Sequence, residues 1–485
     1  MLNTKLTLAL FTQSLAKKNI APVEQFPEDG RLLYSQLPDI EDRNKIRYIL
    51  GAHIRFEQGA EDQVERLVKH WRAKLAPELE NEDGDQGSEL DNEYLKDLAS
   101  DAPVIRMVNH LMERALDLNA SDIHFEPAET HLIVRCRVDG VMVSLETLPA
   151  NVIPAVSSRV KLMARLDIGE KRLPQDGRIQ YTMGSRSLDM RVSTLPGVHG
   201  ESIVLRILDR GDVNVSLEQL GMPEDVLIPF SQSIQQPHGM ILVTGPTGSG
   251  KTTSLYATLD KINNGKNKII TTEDPVEYQL DGITQVQTNA KVGLNFSSAL
   301  RAIVRQDPDV IMVGEIRDGE TAGIAIESAL TGHLVFSTIH TNDSAGAVTR
   351  LQDMGVDTYL ISSSVLAIMA QRLVRKICDH CAEIHPIDAA EADLLNVSPR
   401  DYPHVRRGKG CERCADTGYR GRMGLYELLV VTDSIRQVIA RGGDANAIRE
   451  QAEKEGLRTL RKDALEKFAQ GVTTPEEIIR VTQSH

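Results

Sequence analysis

The chain has 485 residues and a formal net charge of −14, with 55 lysines and arginines against 69 aspartates and glutamates. Because a broad nucleic-acid interface needs clustered positive charge, this acidic balance argues against direct nucleic-acid binding. No apolar run reaches the roughly 18 residues of a membrane span, and the LTLALF run near the start is brief and lacks a cleavage site after it, so we expect a cytosolic protein.

The first part of the chain predicts a small helical module followed by a linker. A length of 485 residues suits about three domains of roughly 150 residues each. Residues 1–77 contain helical patterns such as AEDQVERLVKHWRAKL (60–75) and no group arranged for catalysis, so we expect an interaction domain. Residues 78–99 are acidic, contain glycine and have few apolar side chains, which is typical of a flexible linker.

Residues 100–212 predict a second N-terminal domain, of the α+β class. The segment APVIRMVNHLMERALDL (102–118) has Pro103 near its first turn and apolar residues at helical spacing. Two strand-like runs flank Asp139-Gly140, a dipeptide typical of a tight hairpin. A further helix near 154–166 and strand-like runs up to about residue 210 complete the pattern.

The segment GPTGSGKT (245–252) fits the phosphate-loop pattern G-x-x-x-x-G-K-[ST]. It follows a strand-like run and precedes a helical one, and this context disfavours the alternative of a chance glycine turn. The glycines let backbone amides converge on phosphate oxygens, Lys251 adds a positive charge, and Thr252 offers a hydroxyl to Mg²⁺. The predicted nucleotide-binding residues are Gly245, Pro246, Thr247, Gly248, Ser249, Gly250, Lys251, Thr252 and Thr253.

From about residue 215 strands alternate with helices, which predicts an α/β fold with a parallel sheet. Polar residues stand beside three of these strands, where an open parallel sheet places its ligand crevice. Glu273 and Asp274 follow one strand, Glu315 follows the next, and His333 and His340 flank a third. Carboxylates there can hold Mg²⁺ or orient water, although each acid alone could equally be a solvated loop residue. The predicted magnesium ligands are Thr252, Glu273 and Glu315.

Four of the five cysteines form two C-x-x-C pairs, CDHC and CERC, separated by 29 residues. This gap is longer than the commonest zinc-ribbon spacing, yet two such pairs can complete a tetrahedral thiolate site. A disulfide pair is the alternative, which a reducing cytosol disfavours. The predicted zinc ligands are Cys378, Cys381, Cys411 and Cys414, whereas Cys136 in the strand-like HLIVRCRV is expected to be buried and inert.

Long motifs between residues 100 and 485 resemble the type II/IV secretion ATPase superfamily. They include SDIHFEP, RLPQDGRI and DMRVSTLPGVHGESIVLRIL before the phosphate loop, and TTEDPVEY, RAIVRQDPDVIMVGEIRDGETA, LTGHLVFSTIHTND and CERCADTGYRGRMGLYELL after it. One departure from the ordinary second phosphate-site motif is that Gly314-Glu315 stand at the strand end, where aspartate is usual. Within the superfamily the chain is most similar to the type II secretion ATPases, which share the tetracysteine insertion with pilus-extension ATPases.

The resemblance implies a RecA-like ATPase core, preceded by the α+β domain with a PAS-like fold and carrying a tetracysteine zinc lobe. It divides residues 213–485 into a core at about 236–372, the zinc lobe at about 373–425 and a C-terminal helical region at 426–485. It also implies a homo-hexameric ring that hydrolyses ATP with Mg²⁺. The nucleotide would lie between the α+β domain and the core.

Several catalytic roles follow from the resemblance. Glu273 belongs to the family's aspartate box, and Glu315 stands at its Walker B position. His333 and His340 belong to its histidine box. Arg178 and Arg191 match residues that reach the phosphates from the neighbouring N-terminal domain. Arg301 and Arg305 match a further pair in the core. Arg301 and Arg305 are also four residues apart on an apparent helix, for which a solvated basic surface is the alternative. The predicted catalytic set is Glu273, Glu315, Arg178, Arg191, Arg301, Arg305, His333 and His340.

The first function hypothesis is an ATPase that powers pseudopilus assembly and protein export by a type II secretion system. Its N-terminal domain would contact the cytoplasmic domain of an inner-membrane platform protein, so the chain would be cytoplasmic and peripheral to the inner membrane. The alternatives are a pilus-extension motor, a DNA-uptake motor and a nucleotide-gated scaffold. The acidic balance disfavours DNA contact, and the candidate catalytic acids and arginines disfavour the scaffold.

Overall fold

A computed structural model of the chain describes residues 20–22, 31–34, 55–60, 63–64, 66–67, 102–183, 186–209, 215–402 and 404–482. The chain divides into two compact units, Met1–Asp97 and Leu98–His485. The predicted acidic linker at 78–99 lies outside the described residues.

In the first unit, the described residues form a small three-stranded sheet. β1 (Ile20–Pro22) pairs antiparallel with β2 (Arg31–Tyr34), which pairs in parallel with β3 (Arg55–Gln58). Leu32 and Val64 are buried, and the described residues around Val64 are helical. The sheet was not predicted, because its strands have only three or four residues each and give little alternation to detect.

Residues 102–209 fold into a six-stranded antiparallel sheet in the order β6-β5-β4-β9-β8-β7, with two helices packed on one face. Asp139 and Gly140 form a tight turn with φ of 49° and 86°, a region that favours glycine, asparagine and aspartate. The elements are α1 (Ala102–Asp117), β4 (Ala120–Pro127), β5 (His131–Val138), β6 (Val141–Pro149), α2 (Ile153–Met163), β7 (Gln175–Met183), β8 (Arg186–Leu195) and β9 (Ser202–Asp209).

The rest of the second unit is built on a seven-stranded sheet in the order β12-β11-β13-β14-β10-β15-β18. Neighbouring strands are parallel except for β18, which runs antiparallel to β15. β10, β11, β13 and β14 are buried throughout, as central strands covered on both faces are. The predicted parallel α/β sheet is therefore confirmed. The strands are β10 (Gly239–Thr244), β11 (Ile269–Glu273), β12 (Thr284–Gln287), β13 (Val310–Val313), β14 (Leu334–Ile339), β15 (Val365–Ile377) and β18 (Tyr419–Val430).

Six helices accompany this sheet up to β15. Asn295, Asp318 and Asp343 cap three of them, because each side chain accepts a hydrogen bond from a backbone amide of the first turn. Within the described ranges, no helix is both long and apolar enough to cross a membrane. The helices are α3 (Glu224–Ser233), α4 (Lys251–Ile262), α5 (Phe296–Ile303), α6 (Gly319–Leu330), α7 (Ser344–Asp353) and α8 (Thr358–Ser364).

A tetracysteine lobe is inserted between β15 and β18. It contains the antiparallel strands β16 (Ala382–Pro386) and β17 (His404–Gly408), with α9 (Ala389–Leu395) between them in sequence. Because β18 pairs along β15, the last strand of the core sheet comes after the lobe in sequence. The chain continues with α10 (Asp433–Ala440), α11 (Ala445–Lys454), α12 (Leu460–Ala469) and α13 (Pro475–Thr482).

Candidate ATP site

The phosphate loop connects β10 to α4 and requires glycine for its backbone. Gly245, Gly248 and Gly250 have φ of 151°, 78° and 87°. A Cβ on Gly245 would also lie 2.4 Å from the carbonyl oxygen of Gln371, which is closer than such atoms can approach. α4 begins at Lys251, so its amino-terminal amides point towards the loop. The loop therefore has the backbone and the helix terminus that a phosphate group requires.

Lys251 is held against the loop and is only 9% exposed. Its ammonium donates hydrogen bonds to the carbonyl oxygens of Gly245 and Pro246 at 2.8 and 3.0 Å. Burial lowers the pKa of Lys251 to about 8, a shift that the nearby Glu315 carboxylate opposes and the Arg372 guanidinium reinforces. The side chain is therefore positive at neutral pH and lies where it can contact a phosphate oxygen.

A cleft of about 660 Å³ opens beside the phosphate loop. It is lined by loop residues 247–253, by Glu273 at the end of β11, by Glu315 after β13 and by His340 after β14. These residues meet because β11, β13, β14 and β10 are parallel neighbours whose carboxyl ends lie at one edge of the sheet. The structure thus brings Thr252, Glu273, Glu315 and His340 into one site.

Glu273 is 4% exposed and accepts hydrogen bonds from three side chains. Thr271 Oγ1 and Gln285 Nε2 donate to its Oε1 at 2.5 and 3.1 Å, and the Tyr256 hydroxyl donates to its Oε2. Burial raises the pKa of Tyr256, and the bond to Glu273 raises it further, so the hydroxyl stays protonated. Because Tyr256 lies on α4, the carboxylate is fixed relative to the helix that begins at the phosphate loop.

Glu315 is held between two nitrogen-bearing side chains. Arg317 Nη2 donates to its Oε1 at 2.6 Å, and His340 Nε2 lies 3.4 Å from its Oε2. The carboxylate also interacts electrostatically with Lys251. The Glu315 carboxylate and the Thr252 hydroxyl both offer oxygen atoms beside the phosphate loop. Oxygen atoms are the hard donors that Mg²⁺ prefers next to a nucleotide.

A second cleft, of about 550 Å³, joins the α+β domain to the ATPase core. It is lined by Arg178 on β7, Arg191 on β8 and Arg206 on β9, which lie directly opposite one another in the strand pairing. The core contributes Asp274 and Pro275, and both of these residues also line the phosphate cleft. The two clefts therefore adjoin, and the structure places Arg178 and Arg191 beside the candidate nucleotide site of their own chain.

Three other predicted residues do not line the phosphate cleft that the described residues form. Arg301 on α5 pairs with Glu320 at 2.7 Å, and Arg305 donates to the carbonyl oxygen of Arg301. His333 precedes β14, whereas His340 follows it, so six strand residues, spanning about 20 Å, separate the two histidines. The catalytic roles of Arg301, Arg305 and His333 stay predictions.

The four clustered cysteines bring their sulfur atoms together in the lobe. Cys378 and Cys411 have sulfurs 3.9 Å apart, Cys381 and Cys414 are 3.8 Å apart, and all four lie within 4.8 Å of one another. A zinc ion bound tetrahedrally at about 2.3 Å from each sulfur sets the sulfurs about 3.8 Å apart. All four thiols are free of disulfide bonds, and Cys136 is buried in β5, as expected. The cluster therefore fits a structural zinc site.

Two arginines of the clefts were not predicted from the sequence. The position of Arg206 opposite Arg191 depends on strand register, which the mostly apolar run SIVLRIL does not specify. Arg422 on β18 lines the phosphate cleft, and its Nε lies 3.6 Å from Oδ1 of Asp139. The GYRGRMG segment gave no sign of this contact, because Asp139 is far away in sequence.

Comparison with known proteins places this geometry in a family. Residues 97–480 match the family described as Type II/IV secretion system protein. The chain belongs to this family. It is 47% identical over 478 residues to the Type II secretion system protein E of Xanthomonas campestris pv. campestris, covering 97% of this chain and 84% of that protein. It is 47% identical over 392 residues to the Type II secretion system ATPase E of Vibrio cholerae, covering 81% and 78%.

Solved structures agree in fold. The ATPase DotB of Legionella pneumophila superimposes with a TM-score of 0.57 at 22% identity, covering 77% of this chain and 95% of that one. The pilus retraction motor PilT with bound ADP gives a TM-score of 0.53 at 26% identity, covering 77% and 96%. The predicted RecA-like architecture is confirmed. Family membership and the complete phosphate loop identify the chain as a P-loop ATPase.

Proposed function

We propose that this chain hydrolyses ATP to drive protein export by a type II secretion system. The observation that carries the proposal is the single cleft in which Lys251, Thr252, Glu273 and Glu315 converge. The relatives named type II secretion protein E and ATPase E support the assignment to this system, since the similarity to one of them extends over 97% of the chain.

In the proposed cycle, loop amides and Lys251 bind the phosphates of ATP. The Thr252 hydroxyl and Glu315 hold Mg²⁺, which supplies positive charge to the phosphate oxygens. Glu273 orients the attacking water and accepts its proton, since its carboxylate is fixed by three side chains. Arg178 and Arg191 approach from the α+β domain and offset the negative charge that develops on the transferred phosphate.

Motion of the α+β domain relative to the core is the proposed mechanical output. One contact already joins the hairpin of that domain to the core, because the Gly421 amide donates to Asp139 Oδ2 at 2.7 Å. The same aspartate lies beside Arg422, which lines the phosphate cleft. Nucleotide-dependent changes in the cleft can therefore reach both the α+β domain and the strand that leaves the tetracysteine lobe.

The proposed working assembly is a homo-hexamer at the inner membrane, with pseudopilus assembly as the driven process. Residues 1–77 contact the cytoplasmic domain of an inner-membrane platform protein, so the chain is cytoplasmic and peripheral to the membrane. Zinc at the four cysteines serves a structural role in the lobe. No direct nucleic-acid contact is part of the proposal, in agreement with the net charge of −14.

Two substitutions test the catalytic assignment. Lys251→Ala removes the positive charge that attracts the phosphates. This substitution is expected to abolish both tight ATP binding and turnover. Glu315→Gln keeps the size and hydrogen bonding of the side chain. Its ATP affinity should therefore stay within about threefold of wild type, while turnover falls about 100-fold or more. Steady-state phosphate release and binding of a fluorescent ATP analogue measure the two quantities. Glu327→Gln, at an exposed position of α6, is the matched control.

Turnover of Glu315→Gln within about twofold of wild type would remove Glu315 from the catalytic site. The secretion assignment is tested with the same variants in a bacterium whose own type II secretion ATPase gene is deleted. The wild-type chain should restore export of a type II substrate, whereas Lys251→Ala and Glu315→Gln should not. Restoration by Lys251→Ala would contradict an ATP-driven role.

A further inference from the structure

Arg372 on β15 is a buried arginine that contacts two loops beside the ATP cleft. One is the phosphate loop, and the other is the His340 loop, residues 340–343, which connects β14 to α7. Arg372 Nη2 donates to the main-chain carbonyl oxygen of Asn342 at 2.8 Å and lies 3.3 Å from its side-chain oxygen. Arg372 Nη1 packs at the start of the phosphate loop, because a Cβ on Gly245 would lie 3.2 Å from it. One guanidinium therefore joins the two loops.

The surroundings of Arg372 are unusual for a buried cation. The residue is 9% exposed, and its hydrogen bonds within the described residues go to carbonyl and amide oxygens rather than to a carboxylate. Glu427 and Asp343 attract the guanidinium only from a longer distance. Burying a cation without a directly bonded carboxylate costs stability. Such a cost is expected where a residue serves a neighbouring functional site.

His340 lies at the end of the cleft where the third phosphate of ATP is expected. The lysine of a phosphate loop contacts the second and third phosphates. Glu315 interacts electrostatically with Lys251, and its Oε2 lies 3.4 Å from His340 Nε2. His340 lines the cleft, whereas Arg372 lines neither of the two clefts described above for this part of the chain. Arg372 can therefore influence a bound phosphate only through the two loops that it contacts.

We propose that Arg372 is a positioning residue that fixes the His340 loop against the phosphate loop and so places His340 beside the third phosphate of ATP. The inference rests on the proposed ATP hydrolysis. Two other contacts hold the His340 loop: the Thr341 amide donates to Thr244 Oγ1 at 2.9 Å, and Asp343 pairs with an arginine of α11. Arg372 adds the contact at Gly245. Because ADP lacks the third phosphate, the effect of Arg372 should be specific to ATP.

The test compares ATP and ADP binding by the full chain carrying Arg372→Met. Methionine removes every hydrogen-bond donor but keeps an unbranched apolar side chain in the buried position. Affinity for a non-hydrolysable ATP analogue should fall about tenfold, and kcat about tenfold, while ADP affinity stays within about twofold of wild type.

Arg375→Met is the matched control on the same strand. The Arg375 side chain is 17% exposed, and its Nη2 binds Glu477 at 2.8 Å. Among the described residues that line the two clefts, Arg375 is absent. This variant should have a lower melting temperature, but kcat and both affinities should stay within about twofold of wild type. If Arg372 were only structural, the two variants would behave alike.

A double variant tests whether Arg372 acts through His340. On a His340→Ala background, Arg372→Met should weaken binding of the ATP analogue by less than about twofold further. Arg372→Lys guards against a loss of folding, because it keeps the positive charge and an N–H donor group but not the planar fork. Its loss of ATP affinity should be smaller than that of Arg372→Met and equally specific to ATP.

Equal losses of ATP and ADP affinity in the Arg372 variants would overturn the inference, as would wild-type ATP affinity in both of them. A full tenfold loss on the His340→Ala background would also overturn it, since Arg372 would then act independently of His340. Wild-type turnover by Lys251→Ala would instead refute the proposed ATP hydrolysis itself, so the two failures are distinguishable.

Discussion

At the scale of single residues, the protonation of Lys251 falls within a measurable pH range. Burial lowers its pKa from the ordinary 10.5 to about 8, so the side chain is charged below pH 8 and becomes neutral above it. Only the charged form attracts a phosphate. We predict that ATP affinity in the nucleotide-free chain is constant near about pH 7 and falls about tenfold by about pH 9.

Binding of a fluorescent ATP analogue across this pH range checks the prediction. The matched variant is Lys251→Arg, whose guanidinium keeps its charge throughout, so any residual affinity should not change with pH. An equal decline in both proteins would show that a group other than Lys251 causes the pH dependence.

The environment of Glu273 shows how neighbouring residues fix the orientation of the carboxylate that we propose as the catalytic base. Its three donors come from different elements: Thr271 from β11, Gln285 from β12 and Tyr256 from the helix that begins at the phosphate loop. The carboxylate therefore keeps one orientation relative to the phosphate loop. Burial raises the pKa of Tyr256, so the hydroxyl that donates to Glu273 keeps its proton at neutral pH.

At the scale of elements, the tetracysteine lobe is expected to depend on a metal. The lobe between β15 and β18 has short strands and one short helix, and its four sulfurs already have the spacing of a tetrahedral zinc site. We predict one zinc per chain in protein prepared without chelators. Cys381→Ser should lower the zinc content to less than about a tenth of an equivalent and expose residues 378–418 to proteolysis.

Elemental analysis and limited proteolysis measure this outcome. Cys136→Ser is the control, since Cys136 is buried in β5, outside the cluster, and the variant should keep a full equivalent of zinc. ATP affinity of Cys381→Ser should change less than about threefold, because no cysteine lines the phosphate cleft that the described residues form. A zinc-free wild-type protein with a protease-resistant lobe would contradict the prediction.

The sequence predicted local features well and long-range pairing poorly. Glycine spacing predicted the phosphate loop, and Asp139-Gly140 predicted a hairpin, because both depend on a few adjacent residues. The juxtaposition of Arg178, Arg191 and Arg206 depends on the register of three strands against one another, which no local pattern specifies. His333 and His340 are close in sequence, yet they flank a six-residue strand and therefore lie at its opposite ends.

At the scale of the whole molecule, the predicted catalytic arginines divide into two groups. Arg178 and Arg191 line a cleft that adjoins the phosphate loop of their own chain. Arg301 and Arg305 lie outside the phosphate cleft of the described chain, and Arg301 is engaged by Glu320. If all four act on ATP in the proposed ring, the first pair acts within one chain and the second pair acts on a neighbouring subunit.

Mixing inactive variants tests this division. In a 1:1 mixture of Lys251→Ala and Arg301→Ala chains, a site is complete when its own chain has Lys251 and its neighbour has Arg301. Random assembly therefore gives about a quarter of the wild-type turnover, even though each variant alone is nearly inactive. A mixture of Lys251→Ala and Arg178→Ala should recover no activity, because each chain then carries a defect in its own site.

The ATPase rate per subunit should also rise with protein concentration as the ring assembles. Recovery in the Arg178 mixture would place that arginine in a neighbour's site, and no recovery in the Arg301 mixture, despite confirmed co-assembly, would exclude Arg301 from catalysis between subunits.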